Sequence, residues 1–320
     1  AGSLAAISAN AAEMTVSGAS VLTYTGESDK EVTGNPYGMK TNLSFKASGD
    51  VNGYTVSYMQ TSKDQFAGMS SARLSVDMGD MGTIAFDQGS GSGLATIDDK
   101  TPTAAEEIWD GLDGKTVGGL VGAAGNSGVF NYIKTFNGVK LNAAARKGSG
   151  TKNNDGAASG VGGSNAWDFA LTAGDDVTMV PGLSGGFGYG EADASTIVGA
   201  NQDSSDEHMT AFVNYSYGPA TVGYQLSNMN AGKEAGVNEE TEQWGIAFNV
   251  NDNLSVSYGE REVEYQKTSA AHITESGEGF AVAYTMGSMK IAGNRNEVTN
   301  NDGTSGSADQ MTEIAVSFAF

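Results

Sequence analysis

From Met14 to Phe320 the chain keeps returning to one pattern, apolar residues at every second position with small or polar residues between them. Tyr54, Val56 and Tyr58 alternate with Thr55, Ser57 and Met59, and Leu74, Val76 and Met78 with Arg73, Ser75 and Asp77. Val139, Leu141, Ala143 and Ala145 form another such row. So do Trp167, Phe169 and Leu171, then Trp244, Ile246, Phe248 and Val250, then Phe280, Val282, Tyr284 and Met286, and last Ile314, Val316, Phe318 and Phe320. A two-residue period puts the apolar set on one face of a strand, which a helix cannot do. The best helical candidate, Ala104 to Leu112, is short. The chain therefore reads as all-β, with about sixteen strands.

The connections alternate in length. Short ones include Asn137-Gly138, Gly218-Pro219, Asn251-Asp252-Asn253 and Gly287-Ser288. Between them lie polar stretches at Gly26–Pro36, Gly148–Asn165, Gly190–Asp206, Asn228–Glu240, Glu264–Glu278 and Asn294–Ala308. In a meander of hairpins this places all tight turns at one end and all long loops at the other, the layout of a transmembrane barrel. Alternation by itself leaves a soluble β-sandwich open, because any half-buried antiparallel sheet shows it. The aromatics favour the barrel. Tyr24, Tyr132, Tyr189, Tyr215, Tyr217, Tyr224, Tyr258 and Tyr284 fall on apolar faces near strand ends. A tyrosine there keeps its ring in hydrocarbon and its hydroxyl among headgroups.

Composition narrows the function classes. The net charge is -21, with only 17 Lys and Arg against 38 Asp and Glu, so a nucleic-acid backbone would be repelled. An acidic chain that encloses a cavity favours cations within it. There is no cysteine, hence no disulfide staple. No run of about eighteen apolar residues offers a membrane helix, which leaves strand crossings untouched. Residues 1–11, ending Ala9-Asn10-Ala11, resemble the tail of a secretory signal; we expect cleavage after Ala11 and one barrel domain over 12–320.

Three features carry a family resemblance. The chain ends on Phe320 after Ile314, Val316 and Phe318 at alternate positions, which resembles the terminal signal of outer-membrane barrels. Glu13-Met14-Thr15-Val16-Ser17-Gly18 resembles the first strand of alphaproteobacterial general porins. So does the hairpin Leu74–Phe86, whose Gly79-Asp80-Met81-Gly82 turn leads into a long loop. The resemblance implies a sixteen-stranded antiparallel transmembrane β-barrel, a homotrimer in the outer membrane of a Gram-negative bacterium, with lipid and lipopolysaccharide around it. It also implies a third loop, here about 88–119 after the fifth strand Thr83–Phe86, folded into the lumen. That loop carries Asp98, Asp99, Glu106, Glu107, Asp110 and Asp113, together with Trp109. On the opposing wall the resemblance puts bases, here Lys40, Lys46, Lys63 and Arg73. Only four arginines are present, so lysines mostly stand where family pores often carry an arginine cluster.

Such a neck sorts ions by sign, since carboxylates lower the energy of a cation and raise that of an anion. The implied function is a passive, water-filled diffusion porin for small hydrophilic solutes with a cation preference, and no enzyme. A substrate-specific channel is the near alternative; the far ones are a barrel enzyme in the outer membrane and a surface adhesin. An enzyme of Ser-His-Asp type has only His208 and His272 to draw on, and neither has metal-ligand spacing. No cofactor is expected. Asn153-Asn154-Asp155-Gly156 offers weak calcium binding at most, because it lacks the ligand spacing of an EF-hand loop.

Overall fold

A computed structural model of the chain describes residues 13–27, 35–62, 68–112, 127–147, 165–193, 205–232, 237–267 and 271–320. The expected signal segment, Lys63, Asp113 and the Asn153–Gly156 run lie outside the described residues. Sixteen strands run β1 Glu13–Glu27, β2 Tyr37–Val51, β3 Tyr54–Ser62, β4 Met69–Asp77, β5 Thr83–Gln88, β6 Ser127–Phe136, β7 Val139–Arg146 and β8 Ala166–Ala173. They continue as β9 Leu183–Asp193, β10 Ser205–Tyr217, β11 Ala220–Asn230, β12 Val237–Asn249, β13 Leu254–Lys267, β14 Ile273–Met286, β15 Met289–Thr299 and β16 Ala308–Ala319. Each pairs antiparallel with its neighbours in sequence, and β1 pairs with β16, so the sheet is a closed barrel with no free edge. Gly18 and Phe320 exchange both backbone bonds, at 2.8 and 3.0 Å, where the ring closes.

The tight turns gather at one end of the barrel, as the sequence predicts. Asn137 and Gly138 both have positive φ, 47° and 86°. Such a two-residue turn has the twist an antiparallel hairpin needs, and Asn-Gly tolerates it best. Asn52-Gly53 repeats the device between β2 and β3. The longest connection at this end, between β8 and β9, holds the one-turn helix α1 Asp175–Thr178.

At the other end the strands run farther than their polarity suggests. Glu264–Glu278, which reads as one long loop, is mostly ladder: β13 continues to Lys267 and β14 starts at Ile273, in register from Tyr265↔Ile273 onward. Asn228–Glu240 is likewise mostly β11 and β12. Polar side chains do not end a strand whose backbone bonds are satisfied by both neighbours. They only change what its surface meets.

The two faces of the wall differ in kind. The rows singled out above, Leu74 and Val76 or Trp244, Ile246 and Phe248, stand on the outward face, along with Met14, Val16, Leu22, Val222, Leu226, Phe280 and Ile314. The buried face carries Asn131, Asn142, Asp168, Gln225, Gln243, Arg261, Glu275, Asn294 and Asn296. A soluble barrel has these the other way round. Aromatic rings border the apolar band. Tyr215, Tyr217, Phe248, Tyr284 and Phe318 lie toward the short turns, and Trp167, Tyr189, Trp244 and Tyr258 toward the long connections, packed as Trp167–Tyr189 and Trp244–Tyr258 pairs.

Just beyond the second aromatic row the outward face turns acidic. Register sets Glu240 opposite Glu264, Glu242 opposite Glu262, Glu260 opposite Glu278, and Glu278 opposite Glu297. Tyr258 Oη donates to Glu260 at 2.8 Å and Trp244 Nε1 to Glu260 at 3.2 Å, so the rings anchor the first acids. Like charges directly opposite each other across a ladder repel. Glu262→Gln is therefore expected to raise the thermal unfolding temperature in low-salt detergent, and the gain should vanish in high salt, where exposed charges are screened. An equal gain at both ionic strengths would mean that repulsion is not the cause.

Candidate functional site: a polar wall and the acidic segment bound across it

The segment that follows β5 is held at its root by a buried charge. Asp87 accepts from Ser90 N at 2.9 Å and from Ser92 Oγ at 2.6 Å, and Arg73 lies 3.7 Å from its carboxylate. Arg73 also donates to Gly91 O at 3.3 Å and to Asn131 Oδ1. Arg73 thus ties β4 to the start of the segment. Gly93 N then donates to Asn142 Oδ1 at 2.8 Å and Leu94 N to Asp168 Oδ1 at 3.0 Å, on β7 and β8. Leu94 and Ile97 pack with Ala170 and Phe212.

From there the segment crosses the rest of the wall. Gln225 of β11 donates to Ile97 O at 3.0 Å and Asp98 O at 2.9 Å, and its Oε1 accepts from Lys100 N at 2.8 Å. Asn214 of β10 donates to Lys100 O at 2.8 Å. Ser257 of β13 accepts from Ala104 N at 2.9 Å. Asn296 of β15 donates to Glu107 O at 3.1 Å and Asp110 O at 2.9 Å. The Arg261 guanidinium lies 5.0 Å from the centre of the Trp109 ring, and Leu112 packs with Val298 and Met311 of β15 and β16. Irregular backbone needs partners for its N–H and C=O groups. Here side chains of the wall between β7 and β15 supply them.

The carboxylates ride on this bound segment. Asp98, Asp99, Glu107 and Asp110 are half-buried and Glu106 is exposed. Burial pushes the Asp98 carboxyl up, against the pull of Lys100. Asp99 is pushed up to about 7, first by burial and then by the neighbouring carboxylates Glu107 and Asp98. Asp110 is also raised by burial, with Glu106 adding to the effect and Lys40 opposing it. Lys40 of β2 therefore lies within electrostatic reach of the segment. Lys40 and Lys46 are exposed on the same strand face. Arg73 spends its donors at the root of the segment.

Alternation alone does not single out the residues that do the holding, Gln225, Asn296, Arg261 and Glu275. Their signal is weak but present: each is a polar residue of the opposite parity to a row of outward apolar ones. Among the described residues no group of three or more His, Cys, Asp or Glu is placed to hold a metal ion. His272 sits at the exposed rim, 2.7 Å from Glu264.

No protein-family model matches the sequence, and no curated protein matches it. Solved structures do. A loop-deletion mutant of OmpT, an outer membrane protein of Vibrio cholerae, superposes with a TM-score of 0.72 at 13% identity, covering 97% of this chain and 100% of that one. An anion-selective porin from Comamonas acidovorans gives 0.66 at 14% identity, covering 97% and 100%. The outer membrane channel DcaP of Acinetobacter baumannii gives 0.64 at 12% identity, covering 97% of each chain. At these identities the likeness is one of fold: the chain has the sixteen-stranded barrel seen in outer membrane porins and channels.

Proposed function

We propose that this chain is an outer-membrane diffusion porin of a Gram-negative bacterium, a passive water-filled channel for small hydrophilic solutes that prefers cations. The observation that carries the reading is the inverted barrel: an apolar, aromatic-bordered outer face around a wall of buried amides and charges. Only lipid makes such a surface favourable, because a closed barrel leaves no backbone group unpaired in hydrocarbon. The polar face then lines the lumen. The segment 89–112, bound along β7 to β16, narrows it from one side. The polar face of β1 to β3 is left facing it, with serines, threonines, Lys40 and Lys46. Acids on the segment and bases across from it make a neck with a transverse field. Asp98, Asp99, Glu106, Glu107 and Asp110 supply its negative side, and the low-dielectric wall focuses it.

The working form is a homotrimer. The outward face of β1 to β5 holds Met14, Val16, Leu22, Met39, Phe45, Tyr58, Leu74 and Ile84 with no Asp, Glu, Lys or Arg among the described residues, so a second copy buries it without desolvating a charge. The acidic outer face of β12 to β15 meets the headgroup layer instead, with lipopolysaccharide as neighbour. Passage through the pore asks no bond making, and no enzyme activity is assigned.

Reconstitution in a planar bilayer with a salt gradient tests this. Stable ohmic steps, grouped in threes, with a cation-selective reversal potential are expected. Anion selectivity would keep the pore and overturn the role given to the segment's acids. A folded, heat-modifiable protein without conductance would remove the porin reading altogether.

A further inference from the structure

Four glycines of the polar wall stand side by side on adjacent strands. Register pairs Gly223 of β11 with Gly245 of β12, Gly245 with Gly259 of β13, and Gly259 with Gly279 of β14. None of them has a positive φ, so the backbone does not demand glycine there. A strand interior is a costly place for glycine unless something must come close. Something does. A Cβ on Gly245 would stand 2.9 Å from Pro102 O and 3.4 Å from Thr101 Cβ, and its three nearest atoms all belong to the acidic segment. A Cβ on Gly279 would stand 2.5 Å from Asn296 Oδ1 of the wall and 2.8 Å from Ile108 Cβ, and one on Gly259 would stand 2.9 Å from Trp244 O of the wall and 3.2 Å from Ile108 Cγ2. A Cβ on Gly223 would overlap the Pro102 ring. Gly188 of β9 makes the same room for Leu94.

The ladder is thus a trench across four strands, and the segment lies in it from Thr101 to Ile108. Building on the porin reading, we propose that the glycines Gly223, Gly245, Gly259 and Gly279 are the positioning residues that set the bore of the channel. They let the segment sink against the wall by about the depth of one methyl group. That depth fixes how far Asp98, Asp99, Glu106 and Glu107 stand from Lys40 across the lumen. The side-chain hydrogen bonds from Gln225, Ser257 and Asn296 hold the segment along its length, and the trench decides how far it projects.

Gly245→Ala is the direct test, because its new methyl meets only the segment. Gly277→Ala is the control. Gly277 lies two residues from Gly279 on β14, and its Cβ would find ordinary contact, 3.6 Å from Glu297 O. With both barrels folded, by heat-modifiability, Gly245→Ala is expected to lose single-channel conductance while Gly277→Ala keeps the wild-type value. Equal conductance in the two would overturn the proposal. If Gly245→Ala does not fold, a second variant decides. The chain has no cysteine, so Thr101→Cys with Gly245→Cys introduces a unique pair. Its 3.4 Å Cβ separation lies just below the disulfide range of about 3.5–4.5 Å. Oxidation should close this bond in the folded barrel, and failure to close it would overturn the seat. Wild-type protein without conductance would instead strike the porin reading, and the disulfide would still report on the trench.

Discussion

Glu275→Ala is expected to destabilise the barrel by about 3–5 kcal/mol, the range for breaking a buried ion pair from one side. Arg261 and Glu275 lie 3.9 Å apart, and each side chain is 3% exposed. At that burial solvent does little to screen the charges, so no large discount applies. Glu275 also accepts from Tyr265 Oη at 3.3 Å and from Asp302 N at 2.7 Å. Removing it takes this carboxylate from Arg261, and from the Tyr265 phenol and the backbone of the turn between β15 and β16. Glu239 and Asp99 remain as acids near Arg261, which places the loss toward the lower end of that range. The double change Arg261→Met with Glu275→Leu takes both charges out together and should recover most of the loss, because desolvation of the pair is then no longer incurred. Denaturant unfolding of detergent-solubilised protein measures both. A single variant as stable as wild type would sink the prediction, and so would a double variant no better than the single.

That pair matters beyond stability because of what it holds. Arg261 carries the Trp109 ring on its face, and Glu275 anchors the turn at Asp302. A guanidinium over an indole is favourable when desolvated. The acidic segment is thus fixed at both ends by buried charge: at its root by Arg73 and Asp87, and at its far end by Arg261 and Glu275. Between them it is held by amide side chains and by the glycine trench. A loop set this way keeps its carboxylates at fixed positions, which a selective neck requires.

Much of this barrel is legible in the residues, and what is not has a physical reason. Alternation identifies Trp244, Ile246 and Phe248 as one face, and Asn137-Gly138 as a tight turn, because both are local properties. The polar ends of β13 and β14 are not legible, since the stretch from Glu264 to Glu278 looks like one loop until neighbouring strands pair with its two ends. The acids from Asp98 to Asp110 are grouped only by the family resemblance, which puts a third loop after β5. Their anchors are not legible. Gln225 and Asn296 lie well over a hundred residues from Asp98 and Glu107, and only ring closure brings their strands together. The trench is hidden for the same reason. Gly223, Gly245, Gly259 and Gly279 are four ordinary strand glycines in sequence, and the hydrogen-bond register alone lines them up. Alternation gives each residue its face and leaves open which residue stands beside it.

Cation selectivity should rise with pH across neutrality, and Asp99 should be the group responsible. Its carboxyl is held at about 7 by burial and by the Glu107 and Asp98 carboxylates, with Lys100 opposing. Below that value Asp99 is neutral and the neck has one negative charge fewer; above it the charge is present. Stability runs the other way. A carboxyl raised on folding favours the folded state fully at acid pH, below its ordinary value, and that contribution is lost as pH rises through about 7. On the porin reading, the same ionisation is therefore expected to raise selectivity and to lower the stability of the barrel. Asp99→Asn keeps the shape and removes the titration. Its reversal potential in a salt gradient should stay level between about pH 6 and about pH 8, about one unit either side of the Asp99 value, while wild type shifts toward the cation potential. Its unfolding midpoint at the upper pH should exceed that of wild type. The two histidines serve as controls. His272 faces Glu264 at the exposed rim, and His208 lies on β10 with Asp206 nearby. His208→Gln and His272→Gln should each leave the wild-type shift in place. If Asp99→Asn retains the shift and a histidine variant abolishes it, the charge that tunes the neck is not on the segment.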